Sequence, residues 1–187
     1  MTPFFFGYGS LVNRATHDYP NAHHATASGW RREWRHTHHR QAAFLTAVPC
    51  PNSRIDGLMA QVPNNDWLAL DDREYAYQRI AASDDITHTL GAQTDVSIYA
   101  IETGDHHTPT QDHPILLSYL GTVVQGYLNE FGQDGVTAFF DTTSGWDAPI
   151  LDDRHAPIYP RSQNLTRIET GLLESHMQRL SCLVTQL

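Results

Sequence analysis

Cysteine is scarce in this chain: Cys50 and Cys182 are the two present in 187 residues, with no paired spacing. That excludes a disulfide scaffold and a cysteine-built metal centre, and the expected state is two free thiols in a reducing compartment. Long apolar runs are missing too. No stretch approaches the roughly eighteen apolar residues that a membrane-spanning helix requires. The run at the start is only Phe4, Phe5 and Phe6, with no basic segment before it, so no secretory leader is expected and the cytoplasm is the expected location. Positive charge is short as well, since twelve Lys and Arg face twenty-one Asp and Glu and leave a formal net charge of −9. Such a field opposes non-specific binding to nucleic acid or an anionic membrane. Arg31, Arg32, Arg35 and Arg40 do gather around Trp30 and Trp34, as a stacking surface for single strands would require, but their spacing fits a strand better. Internal repeats, heptads and low-complexity tracts are absent.

What is present is an ordinary globular composition, 40% apolar, long enough for one sizeable core and read as a single domain over 1–187. The first hundred residues read as short strands with one helical insertion. Strands are expected at Phe4–Tyr8, Ala25–Arg35, Ala42–Val48 (ending at Pro49-Cys50-Pro51), Gly57–Val62 after a turn at Asn52-Ser53, and Val96–Ile101. Asn64 to about Ala82 reads as a helix capped by Asn64 or Asn65, with Trp67, Leu70, Tyr77 and Ala81 at helical spacing. The second half turns helical. Pro114 is expected to open a helix over Ile115–Phe131 that Gly132 ends, and a shorter segment follows through Phe139 and Phe140. A loop spans Thr142–Ser162, and a last helix covers Leu165–Leu180 with Leu165, Ile168, Leu172, His176 and Leu180 on one face. Cys182 reads as a small buried residue on that last helix. Strands followed by helices predict an α+β fold: a small mixed β-barrel or twisted sheet with helices packed on it.

Two segments carry chemistry. In Phe6-Gly7-Tyr8-Gly9-Ser10-Leu11-Val12 an apolar strand stops at two glycines flanking an aromatic. Glycine lets the backbone turn and lets a ligand approach main-chain N–H groups, which together form an anion-binding concavity. The second segment is Leu70-Asp71-Asp72-Arg73-Glu74-Tyr75-Ala76-Tyr77. On one continuous helix Glu74 shares the stripe of Trp67, Leu70 and Tyr77, which would bury its carboxyl group and raise its pKa toward that of a general acid/base. The alternative is structural: Asp71-Asp72-Arg73-Glu74 has the spacing of a capping box, with Asp71 as N-cap.

Together these segments resemble the γ-glutamylcyclotransferases. Gly7-Tyr8-Gly9-Ser10-Leu11 is similar to their YGSL loop, and Leu70–Tyr77 to the segment holding their glutamate. Ser118-Tyr119-Leu120 and Phe139-Phe140-Asp141-Thr142-Thr143 resemble the later helices of the ChaC branch. The sequence departs from that branch where Val12-Asn13 follows the loop in place of Trp, and where Tyr75 follows Glu74 in place of Lys and Gly. The resemblance implies a small β-barrel with packed helices and chemistry without cofactor or metal. The α-amine of a γ-glutamyl substrate attacks the γ-carbonyl, closes 5-oxoproline and expels the amine. Glu74 would be the acid/base, with Tyr8, Gly9, Ser10, Leu11 and Tyr77 binding substrate. Glutathione and other γ-glutamyl peptides or amines are all open as substrates. A catalytically silent binding module of the same fold is the alternative.

Twelve histidines, with His36-Thr37-His38-His39, His23-His24 and His106-His107, invite a metal reading. His36 and His38 would share a strand face, yet no HExxH-type spacing accompanies them, and solvated surface histidines are expected. Asp152-Asp153-Arg154 and Tyr159-Pro160-Arg161 read as a surface ion pair or as a lid over the pocket. Ser10 lacks the G-x-S-x-G elbow of a serine nucleophile. The oligomeric state is left open.

Overall fold

In the computed structural model, which describes residues 3–91, 94–102 and 104–186, the chain opens with strand β1 (Pro3–Gly7), buried at every position. Phe4, Phe6 and Tyr8 join the main core while Phe5 packs on the opposite face with Leu11, Val62, Leu70 and Tyr99. A strand covered on both faces needs apolar residues without alternation, which is why Phe4-Phe5-Phe6 is unbroken.

Strands β2 (His23–Arg35) and β3 (Phe44–Gln61) form a long antiparallel pair. The separate strands expected at Ala42–Val48 and Gly57–Val62 are therefore one. Their register jumps from Ser28↔Arg54 to Trp30↔Pro49, so Cys50–Ser53 bulge out opposite Gly29. The bulge accommodates Pro49 and Pro51, which cannot donate to a ladder, so the strand bends there instead of stopping.

A larger correction concerns the expected helix over Asn64–Ala82. Helix α1 covers only Leu68–Arg73, and β4 (Gln78–Ala81) follows it. Asn64 and Asn65 occupy left-handed conformations in the turn before α1 and do not cap it. Ile80 and Ala81 pair with Ile98 and Ser97 of β6 (Asp95–Ala100), after a short β5 (Ile86–His88). Pairing with β6 overrides the helical spacing of Tyr77 and Ala81.

The second half begins with β7 (Ile115–Leu116), so Pro114 precedes a strand and helix α2 runs over Leu117–Asp141. Gly132 interrupts α2 at φ 68°, the expected break between its two segments. Two strands follow inside the expected loop, β8 (Thr143–Ser144) and β9 (Ile150–Asp152). Helix α3 (Arg167–Arg179) is opened by a reciprocal capping box between Thr166 and Glu169. It buries Glu169, Leu173, His176 and Met177, and leaves the expected face residue Ile168 75% exposed. Cys182 lies beyond α3, half-buried, just before β10 (Val184–Gln186).

The main sheet has the order β4-β6-β1-β3-β2-β5, with β8 on β2. It is mixed, since β1 runs antiparallel to β3 and parallel to β6. Its end strands do not meet, giving a curled half-barrel with an α+β architecture. Helix α2 fills the concave side with Leu120, Val123, Val124, Tyr127, Phe139 and Phe140, all at most 1% exposed. A second sheet, β10-β9-β7, lies beside it. Among the described residues, no helix is long and apolar enough to cross a membrane.

Candidate active site

After β1 the chain makes a 3-10 turn, Ser10–Val12, in which the Val12 and Asn13 amides donate to the Gly9 and Ser10 carbonyls. The amides of Gly9, Ser10 and Leu11 precede the first of these bonds and, among the described residues, donate to no other group, as the starting donors of a helical turn do. Asn13 ties the turn to α2: its side-chain amide donates to the Thr122 carbonyl at 2.9 Å and to Gln125 Oε1 at 3.0 Å. Gly126 makes this contact geometrically feasible, because a Cβ there would lie 2.7 Å from the Asn13 nitrogen.

Arg32 fixes the loop from beneath. It is 1% exposed and, among the described residues, faces no carboxylate at hydrogen-bond distance. Instead, its guanidinium donates to the Tyr8 carbonyl at 2.9 Å, to Thr142 Oγ1 at 2.8 Å, to the Asp56 carbonyl and to the Tyr127 hydroxyl. The Tyr127 and Phe139 rings cover its face at 4.9 and 5.4 Å. A buried cation is tolerable only when its donors are satisfied, and carbonyl dipoles and ring faces do that here. Of the arginine and tryptophan cluster around 30–35, Trp30, Arg32 and Trp34 are buried while Arg31 and Arg35 reach outward to Glu33, so neither tryptophan offers an exposed face for stacking.

Glu74 sits at the C-terminal end of α1 (φ −99°, ψ 28°), not mid-helix. Asp71 is inside α1 and not an N-cap; its carboxylate accepts from Arg79 and from the Tyr99 hydroxyl. Both readings of Glu74 from spacing therefore fail in their geometry. The residue nevertheless faces inward, its side chain 14% exposed, and joins Gly7, Tyr8, Gly9, Ser10, Leu11, Leu45, Tyr77 and Tyr119 around a pocket of about 320 Å³. Burial raises its pKa above the ordinary glutamate value, opposed by the charges of Arg73, Arg40 and Arg161. Arg73 links the two motifs, donating to Glu74 Oε1 at 3.1 Å, to the Thr16 carbonyl at 2.9 Å and, weakly, to Ser10 Oγ at 3.4 Å.

The expected site residues divide on inspection. Tyr8 lines the pocket as a core aromatic whose hydroxyl is already engaged, donating to the Tyr99 carbonyl and accepting from the Ala47 amide. Tyr77 donates to the Leu45 carbonyl. Tyr119 belongs to the pocket although the sequence reading assigned it no site role. A Cβ added to Gly9 would lie 2.8 Å from its hydroxyl, and that hydroxyl makes no hydrogen bond among the described residues. Burial pushes the Tyr119 phenol well above its usual pKa, so it remains a neutral donor.

Tyr119 also borders a second, open groove of about 1170 Å³, lined by Arg40, Arg73, Tyr75, Tyr159 and Arg161 among others. The segment expected as a loop or lid thus forms one wall. It is anchored by Asp153, fully buried, whose carboxylate accepts from the Ser118 amide and hydroxyl at the start of α2 and from the Ile158 amide. The expected surface ion pair is also present, Arg154 to Asp152 at 2.6 Å.

No family model and no curated protein matches the sequence. Solved structures do match by shape. A γ-glutamyl cyclotransferase superposes with a TM-score of 0.56 at 12% identity, covering 94% of this chain and 99% of its own. An uncharacterized human protein gives 0.55 at 13% identity, covering 91% and 97%. YkqA from Bacillus subtilis gives 0.57 at 13% identity, covering 77% of this chain and 56% of its own. At such identities the likeness establishes a shared fold.

Proposed function

We propose that this chain is a γ-glutamylcyclotransferase-like enzyme that converts a γ-glutamyl compound to 5-oxoproline and a free amine. The observation that carries the reading is a buried carboxyl group of raised pKa, Glu74, in one pocket with the unengaged amides of Gly9, Ser10 and Leu11. Glu74 takes the proton from the substrate α-ammonium, and the freed amine attacks the γ-carbonyl carbon. The bond to the leaving nitrogen then breaks as Glu74 returns that proton to it, and the extra proton on the ring nitrogen passes to the departing amine, which leaves as an ammonium ion. Loop amides and the Tyr119 hydroxyl are placed to offset charge on the carbonyl oxygen. The tight pocket holds the glutamyl chain folded, which removes orientational entropy from the cyclisation.

The leaving portion of the substrate fits the groove. Arg40, Arg73 and Arg161 converge there in a protein of net charge −9, and Arg40 Nε is buried without a hydrogen-bond partner among the described residues. Guanidinium groups recognise carboxylates. The substrate class is therefore a γ-glutamyl amino acid or short peptide with a free carboxylate, glutathione included, in preference to neutral γ-glutamyl amines. The test is release of 5-oxoproline from glutathione and a panel of γ-glutamyl peptides and amines. Turnover lost in Glu74→Gln supports the assignment. Saturable binding with no turnover of any member identifies a silent binding module instead.

A further inference from the structure

Four histidines that the sequence scatters over residues 36–113, His36, His38, His107 and His113, are gathered by the fold just after β2. His36 pairs its backbone with His107, each amide donating to the other's carbonyl at 2.9 and 3.0 Å. A tight Thr110–His113 turn sets the His113 ring flat on His36, with centroids 4.1 Å apart and planes 11° from parallel. His38, expected on a strand face with His36, lies instead in the turn after β2, its ring 4.6 Å from that of His107. Asp105 completes the group: ligand atoms of His38, Asp105 and His107 all lie within 4.8 Å of one another.

We propose that His38, Asp105 and His107 bind a divalent transition metal of the zinc type. Two imidazoles and a carboxylate are the donor set such ions take, and they leave a further position for water. The edge of a zinc tetrahedron is about 3.4 Å, so the exposed His38 ring closes the site by swinging in roughly one ångström. Its backbone is already held, because the paired segments bring both sides together before any ion arrives. His36 packs behind this donor set and is not one of its ligands. His36, 8% exposed and packed between His107 and His113, has its Nδ1 buried with no hydrogen bond among the described residues. By contrast His106 is engaged with the Ile101 carbonyl and His24 with Glu130, so neither contributes.

The site would act on the groove by position. Arg40 follows His38 by two residues, and its guanidinium lies over the rings of Phe44, Tyr75 and Tyr77. A metal bridging His38 to Asp105 and His107 clips the Thr37–Gln41 turn to the 105–113 segment and restrains Arg40 at the groove wall.

The test uses the full-length, untagged protein and Zn²⁺ alone, followed by titration calorimetry and thermal melting, with Mg²⁺ as control. One equivalent of Zn²⁺ retained after dialysis, a raised melting midpoint and no response to Mg²⁺ are expected. His107→Ala and the exposed-site variant His38→Gln should each weaken binding by roughly 10–100-fold or more, whereas His23→Ala leaves it unchanged. Binding below one equivalent, or binding unaltered in both His38→Gln and His107→Ala, overturns the assignment. These readouts do not depend on turnover, so they stand or fall apart from the cyclotransferase reading.

Discussion

The narrow pocket and the open groove share Tyr119 and Tyr77's neighbourhood, yet they are made of opposite materials. The pocket joins backbone amides, tyrosine rings and one carboxyl group in about 320 Å³; the groove offers three arginines around about 1170 Å³. A confined, desolvated space alters the acid–base behaviour of the group inside it, which an open and solvated one does not. In the cyclotransferase reading proposed above, bond-making falls to the pocket and partner selection to the groove. Three of the chain's twelve Lys and Arg residues line the groove, where that reading puts the carboxylate of the leaving portion.

The sharpest way to break that division is Glu74→Gln. Loss of a general acid/base should cut turnover by about 10²–10⁴-fold, measured as 5-oxoproline release, with groove affinity for a carboxylate-bearing product retained. Stability should move the other way. Because the folded pKa is raised, Glu74 ionises more readily in the unfolded chain, so its burial costs stability once the pH rises through the folded pKa. The glutamine variant should melt higher than the parent at neutral pH, and the gap should close as pH falls below the ordinary glutamate value. The same shift places the acidic limb of the parent's rate profile above that value. A variant that melts lower at neutral pH and keeps its turnover would remove the carboxylate from the centre of the argument.

Gly9→Val follows. The new side chain meets the Tyr119 hydroxyl, whose oxygen is already 2.8 Å from a Cβ position, and fills the pocket. Turnover should fall about a hundredfold while stability drops by only about 1–3 kcal/mol, the usual range for overpacking; thermal melts alongside kinetics separate the two. Arg161→Ala tests the groove, with rates compared at a pH well above the Glu74 transition because the Arg161 charge also opposes the raised pKa of that carboxyl group. It should raise KM for carboxylate-bearing substrates by roughly tenfold, about 1.4 kcal/mol, and leave neutral γ-glutamyl amines unchanged. Equal losses for both substrate types would show that the groove does not select by charge. Ser10→Ala is the smallest perturbation, since the hydroxyl's contact with Arg73 is 3.4 Å long. Activity within about threefold of the parent is expected, because a bond that long contributes little.

What the sequence made legible in this site was local. Phe4–Leu11 contains its own strand, its own stop and its own amides, and the structure forms them from neighbouring residues. Glu74 was identified by its surroundings but for a geometry that does not exist. Trp67, Leu70, Tyr77 and Ala81 obey helical spacing, yet β6, some twenty residues later, recruits the last of them into a ladder. The capping box expected at Asp71 is absent there, and one forms at Thr166–Glu169, where a following amphipathic turn sustains it. Groups whose partners are backbone carbonyls or distant loops were visible in the sequence as residue types, but their partners were not. Arg32 binds carbonyls of Tyr8 and Asp56, Asp153 caps α2 from outside it, and the histidine cluster joins segments about seventy residues apart.

The clamp on Tyr8 also sets a timetable. Its carbonyl is held by Arg32 and by the Tyr127 hydroxyl, the latter 119 positions further along. At about 5–20 residues per second, synthesis leaves the loop without that second anchor for roughly six to twenty-four seconds. For the later part of this interval Phe4, Phe5 and Phe6 are outside the ribosome while the helix that covers the concave side is not. The part of the site made first is therefore completed last, and a nascent chain released before α2 carries every residue of the loop without the cavity it serves.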